Sequence, residues 1–141
     1  MSKPPTALPA FVAVDWNGTV VPIFGQTAYL DAVSTLTAWR QAGCLLVVVS
    51  CAGQEIIEAD VARVGLVADS ICGVFDKEPI LLELRMRHGA GLYIGDHPAD
   101  ARAAEEAGLP FYQACMNGQP AISGREAGFN EWREAPLLLG F

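Results

Sequence analysis

Four consecutive apolar residues, Phe11-Val12-Ala13-Val14, run straight into Asp15. A second unbroken run, residues 45–49, is rich in β-branched side chains and has the pattern of a strand covered on both faces. Between them, residues 28–41 repeat apolar positions at helical spacing, with Leu30, Val33, Leu36 and Trp39 on one side and Gly43 as the stop. The alternation continues along the chain. Residues 54–64 form a helix with Ile56, Ile57, Val61 and Val64 on one side, and residues 70–75 a short strand. A helix at 79–88 opens with Pro79 in its first turn. A strand at 91–94 follows, then a helix at 99–107 closed by Gly108, then a final strand at 109–113. A short helix is expected around 126–134, ahead of the apolar end Leu137-Leu138-Leu139. Strands alternating with helices at this spacing predict α/β architecture: a parallel sheet sandwiched between helices, a Rossmann-like three-layer fold.

The chain has 141 residues, enough for one domain, and no linker or repeat divides it. Residues 1–9 read as a tail and residues 117–141 as a loosely organised C-terminal segment. Hydrophobic residues make up 52% and charged residues 18%, so the chain folds rather than staying disordered. The net charge of -7 repels phosphate backbones and anionic lipid, which argues against nucleic-acid and membrane partners. Cys44, Cys51, Cys72 and Cys115 show no C-x-x-C spacing and read as small buried hydrophobes in a reducing compartment. No signal-like or membrane-length segment stands out, and the expected location is the cytoplasm.

In an open parallel sheet, ligands collect at the carboxyl ends of the strands. This sequence delivers chemistry there repeatedly. The first strand ends at Asp15, followed by Trp16, Asn17, Gly18 and Thr19. The second ends at Ser50. Lys77 precedes the third helix, and the fourth strand ends at Gly95-Asp96, with Asp100 four positions on.

D-x-N-G-T-V after an apolar strand, then a hydroxyl residue, a lysine and G-D-x-x-x-D, in that order, resembles the haloacid dehalogenase-like (HAD) superfamily of phosphotransferases. The likeness spans residues 11 to about 111, and "YIGDHPADARAAEEAGLPF" is especially similar to the family's fourth motif. The resemblance implies that Asp15 is a nucleophile taking up a phosphoryl group from a small phosphorylated substrate. It implies Mg²⁺ held by Asp15, Asp96 and the backbone carbonyl of Asn17, with Asp100 orienting from behind. Ser50 would hydrogen-bond the phosphoryl group and Lys77 would balance its charge. Gly18 would let the backbone turn sharply, and Thr19 would fix that turn through its hydroxyl. Trp16 either stacks on substrate at the rim or packs beneath a flap at residues 20–25.

Asn17 departs from the pattern. Most phosphatases of the family carry Asp there, as an acid that protonates the leaving oxygen. Asn has no such proton, so either a slow phosphatase or a phosphate- and metal-binding regulatory module is expected. The spacing from Asp15 to Ser50, and from Ser50 to Lys77, leaves no room for a cap domain. A capless site is open, and the apolar flap and tail are candidates for covering it in a homo-oligomer. Several nearby residues also have plain structural readings. Ser50 can cap the helix after it, and Lys77 can pair with Asp76. His97 reads as surface, and Glu55, Glu58 and Asp60 as a wet helix face.

Overall fold

The computed structural model describes residues 8–122 and 127–139. Six strands form one sheet: β1 (Phe11–Val14), β2 (Leu45–Ser50), β3 (Ser70–Gly73), β4 (Gly91–Gly95), β5 (Phe111–Ala114) and β6 (Gly128–Phe129). Their order is β3-β2-β1-β4-β5-β6, and every pairing is parallel. Helices α1 (Ala32–Gln41), α2 (Gln54–Val64), α3 (Lys77–His88) and α4 (Pro98–Ala107) connect the first five strands, and α5 (Ala135–Leu139) ends the described chain.

The sandwich follows from side-chain parity. In β1, Val12 and Val14 face a core built with Leu36 and Trp39 of α1 and Ile57 and Val61 of α2. Phe11 and Ala13 face the other core, with Leu81 of α3 and Ala101 and Ala104 of α4. A central strand buried on both faces has no polar position to spare, which explains its unbroken apolar run. α2 and α4 stop where Gly65 and Gly108 take left-handed φ of 79° and 75°.

The sheet's register sets the site. Val14 lies level with Val48 on one side and Ile94 on the other. Asp15 therefore emerges one residue past this line, and Ser50 and Asp96 two residues past it, on neighbouring strands. β1 sits where the chain's winding reverses, between β2 and β4, the switch point at which open α/β sheets bind ligands.

The structure corrects the expected elements at three places. α1 begins at Ala32, four residues later than its periodicity predicts, and Leu30 is 83% exposed. The residues before it belong to the flap connection, where Tyr29 N–H donates to the Val20 carbonyl. The strand at residue 111 is not the last, because β6 pairs beside it. In place of a helix across 126–134 stand β6 and a single 3₁₀ turn, Trp132–Glu134; Glu126 itself lies outside the described residues. The C-terminal segment is tied in firmly. Trp132 is fully buried, packs edge-on to Phe129 with centroids 4.9 Å apart, and donates its indole N–H to the Thr19 carbonyl at 2.8 Å. Among the described residues no helix is long and apolar enough to cross a membrane. Nothing in the element order is inserted between β1 and α1 or between α2 and β3 that would form a cap.

Candidate active site

Asp15 anchors the site. Its backbone N–H donates to the Ile94 carbonyl at 2.9 Å, so the residue is fixed between β1 and β4 before its side chain meets anything. The carboxylate Oδ1 accepts from the Lys77 ammonium at 2.8 Å, and Asp100 Oδ1 accepts from the same nitrogen at 2.7 Å. The Tyr93 hydroxyl lies 2.9 Å from both Lys77 Nζ and Asp100 Oδ1, accepting from the lysine and donating to the acid. All four residues are buried.

Asp100 has a second duty. Its Oδ2 accepts the backbone N–H groups of Asp96 and His97 at 3.3 and 3.2 Å, closing a capping box at the start of α4. His97 contributes the other half, with Nδ1 accepting the Ala99 N–H at 3.0 Å. Gly95 makes this possible, since a Cβ there would sit 2.7 Å from the Asp100 carboxylate. The G-D-x-x-x-D spacing therefore has a local cause: the second acid caps the helix with one oxygen and serves the site with the other.

The loop after β1 is equally constrained. Gly18 has φ of 80°, and a Cβ on it would run into the Asp96 carboxylate. Only glycine permits this approach. Thr19 is buried, and its hydroxyl donates to Asp96 Oδ1 at 3.3 Å rather than closing the turn as expected. The turn is held instead by the Trp16 carbonyl, which accepts from Thr19 and Val20 N–H at 3.0 and 2.9 Å.

Asp15, Asp96 and Asp100 each offer a carboxylate oxygen, all within 4.8 Å of one another. The cluster sets three carboxyl groups against the single Lys77 ammonium. Burial pushes the Asp15 carboxyl well above its ordinary range; repulsion from Asp100 adds to this and Lys77 opposes it. Burial works to discharge Lys77 as well, but Asp15 and Asp100 outweigh it and hold its pKa above the usual lysine value. Burial and the same two carboxylates raise the Tyr93 phenol well above its usual range, so it remains an O–H donor. Asn17 Oδ1 is buried without a hydrogen-bond partner. An all-oxygen donor set in which three carboxyl groups face one ammonium, with an orphaned acceptor beside them, fits a hard divalent cation.

A cleft of about 420 Å³ opens over this cluster, lined by Asp15, Asn17, Ser50, Lys77, Asp96 and Asp100 together with Cys51, Phe75 and His97. Ser50 does not cap α2, whose N-cap is Gly53 without a side-chain bond. Lys77 is not a solvated partner of Asp76; Asp76 caps α3, accepting the Glu78 N–H. Trp16 does not face the cleft. Its indole is wholly buried and donates to Asp60 Oδ2 at 2.7 Å, so a substrate-stacking role is ruled out by its direction. Asp60 is correspondingly not on a wet face but buried. The hydrogen bond from Arg63 holds its carboxyl below the usual range, assisted by Trp16 and Gly25 against the opposing effect of burial. Tyr93 was missed by the sequence reading, although a phenol within a doubly buried strand demands a polar partner.

No family model matches the sequence, and no curated protein does. Solved structures do. The cobalt-bound deoxy-D-mannose-octulosonate 8-phosphate phosphatase of Haemophilus influenzae is 18% identical with a TM-score of 0.66, over 94% of this chain and 88% of that one. The 3-deoxy-D-manno-octulosonate 8-phosphate phosphatase of Moraxella catarrhalis, in complex with magnesium, phosphate and KDO, is 21% identical with a TM-score of 0.64, over 93% and 85%. A Legionella pneumophila protein provisionally assigned to subfamily III A of the HAD hydrolases is 16% identical with a TM-score of 0.66, over 93% and 81%. The structural neighbours are thus HAD-superfamily phosphatases, and the fold is their Rossmann-like α/β sandwich.

Proposed function

We propose that the chain is a capless, Mg²⁺-dependent HAD-like phosphatase that works through an aspartyl-phosphate on Asp15 and acts on a small phosphorylated metabolite. The observation that carries this reading is the cluster itself: three carboxylates within 4.8 Å, with one buried lysine bridging Asp15 and Asp100. The magnesium and phosphate bound by the Moraxella neighbour support it.

Asp15, Asp96 and the Asn17 carbonyl would hold the cation, which when bound neutralises charge on the phosphoryl oxygens. Lys77 engages Oδ1 of Asp15, leaving Oδ2 to attack phosphorus. The bond from phosphorus to the ester oxygen breaks, and the departing oxygen keeps the electron pair. Ser50 orients the phosphoryl group and Lys77 stabilises its charge. Water then attacks phosphorus, the bond from phosphorus to Asp15 Oδ2 breaks, and phosphate leaves carrying the protons of that water while the Asp15 carboxylate is regenerated. Asn17 supplies no proton to the departing oxygen, so activated esters such as aryl or acyl phosphates are the preferred substrates. The same neutral Asn17 favours a second reading, a regulatory module that binds metal and phosphate with little turnover. A cytoplasmic location and a homo-oligomer covering the open cleft complete the proposal.

The test is a panel of aryl, acyl and alkyl phosphates with Mg²⁺, with Asp15→Asn as the blank. Release of phosphate by the wild type alone supports the enzyme. Equal rates in both proteins remove Asp15 from the chemistry and overturn the reading. A second measurement probes the cradle. Gly18→Ala is expected to cost about 1–2 kcal/mol for a left-handed alanine. It also displaces the Asp96 carboxylate, so the Mg²⁺ concentration giving half-maximal thermal stabilisation should rise about tenfold. An unchanged concentration would place the cation elsewhere.

A further inference from the structure

We infer that Asp60, on α2, is a positioning residue for the loop carrying Asn17 and Gly18, because its carboxylate clasps both ends of the flap that this loop opens. Asp60 lies 44 residues from Trp16 in sequence. One of its oxygens accepts the Trp16 indole N–H at 2.7 Å, at the flap's entrance. The other accepts the Gly25 backbone N–H at 3.0 Å, at its exit. Arg63, one turn along α2, donates to that second oxygen at 2.7 Å and to the Gln26 carbonyl at 2.7 Å, which doubles the hold on the flap's exit.

The entrance clasp reaches the site through one residue. Trp16 directly follows Asp15, and its carbonyl accepts the two amides that fold Asn17 and Gly18 into their turn. Fixing the indole therefore fixes the peptide plane from which that turn is built. The packing of α2 does not call for an acid here. Ile57 and Val61 bury the same side of the helix, and an apolar residue at position 60 would continue that face without the penalty of burying a charge. What an apolar residue cannot do is accept the indole N–H and the Gly25 amide together. The carboxylate has two acceptor oxygens in one rigid plane, and both are used on the flap.

The flap is accordingly tied to α2. Two further ties agree with this: the Trp132 indole N–H on the Thr19 carbonyl, and the Tyr29 amide on the Val20 carbonyl.

Asp60→Asn keeps the shape but exchanges one acceptor for a donor, which faces N–H groups it cannot bond. Amide hydrogen exchange of residues 17–26, followed by mass spectrometry on the metal-free full chain, is expected to accelerate at least tenfold. Leu109→Ala is the control for general destabilisation, since Leu109 is buried on the opposite face of the sheet. It should leave flap exchange unchanged relative to the rest of the chain. Should Asp60→Asn fail to fold, Trp16→Phe removes the entrance bond together with part of a buried ring, and should accelerate exchange at Thr19 and Val20 beyond the acceleration that it and Leu109→Ala produce in the rest of the chain. Flap exchange as slow as wild type in the folded variant, or equal acceleration in Leu109→Ala, overturns the inference. This readout stands even if the chain hydrolyses no phosphate. If it does, Asp60→Asn should lower kcat more than it raises KM, because the nucleophile's loop is displaced while Ser50 and Lys77 stay in place.

Discussion

Replacing Asn17 with Asp is expected to raise turnover of alkyl phosphates by about 10²–10⁴-fold over the wild type, the range that a positioned acid–base group supplies. Asn17 lines the cleft beside Asp15 and is isosteric with Asp, so the change adds a titratable proton without altering the loop's shape. The gain should depend on the ester. Aryl and acyl phosphates depart without a proton and should gain much less, which makes the ratio of alkyl to aryl rates the decisive number. The added carboxylate joins Asp15, Asp96 and Asp100, so the variant should also need divalent cation more strictly than the parent. No gain on any ester, with phosphate binding retained, would favour the regulatory reading. Asn17→Gln guards the comparison. Asn-Gly sequences deamidate, and mass spectrometry of the wild-type peptide shows whether Asp at position 17 has already formed.

β1, β2 and β4 and their carboxyl ends were legible because their signals are local. A doubly buried strand must be apolar throughout, so the polar residue that breaks the run marks the sheet's edge, as Asp15 and Ser50 do. The Gly95-Asp96 pair was legible for a different reason: the helix cap at Asp100 imposes its own spacing. Lys77 was harder. A lysine in the first turn of a helix opposes the helix dipole, so its placement at the start of α3 signals an external partner. The partners, Asp15 and Asp100, are set by sheet order and appear only in three dimensions. Asp60 and Trp132 were illegible as supports. Asp60 occupies a helix whose neighbouring acids, Glu55 and Glu58, are exposed, and nothing local distinguishes it. Trp132 belongs to a segment where glycine, proline and asparagine suggested looseness, while pairing of β6 with β5 ties it to the sheet and one indole bond ties it to the loop after Asp15.

Lys77→Met tests whether the buried cluster is ionic as drawn. Methionine matches the lysine stem in length but carries no charge, so Asp15 and Asp100 would face each other with only the Tyr93 hydroxyl between them. Removing one partner from a buried ion pair costs about 3–5 kcal/mol, because the remaining charge is left uncompensated. Urea denaturation of the metal-free protein should show a loss of that order, with an unchanged slope. A divalent cation should then restore more stability to the variant than it gives the wild type, since it replaces charge that the wild type already has in Lys77. Turnover should not recover with it: the oxygen that Lys77 holds on Asp15 would be free to rotate, and charge on the phosphoryl group would lose its second stabiliser, a loss of about 10²–10³-fold. A variant as stable as the wild type without metal would mean that Asp15 and Asp100 are not both ionised around Lys77 in the folded protein. The nucleophile would then have to be activated by the cation alone.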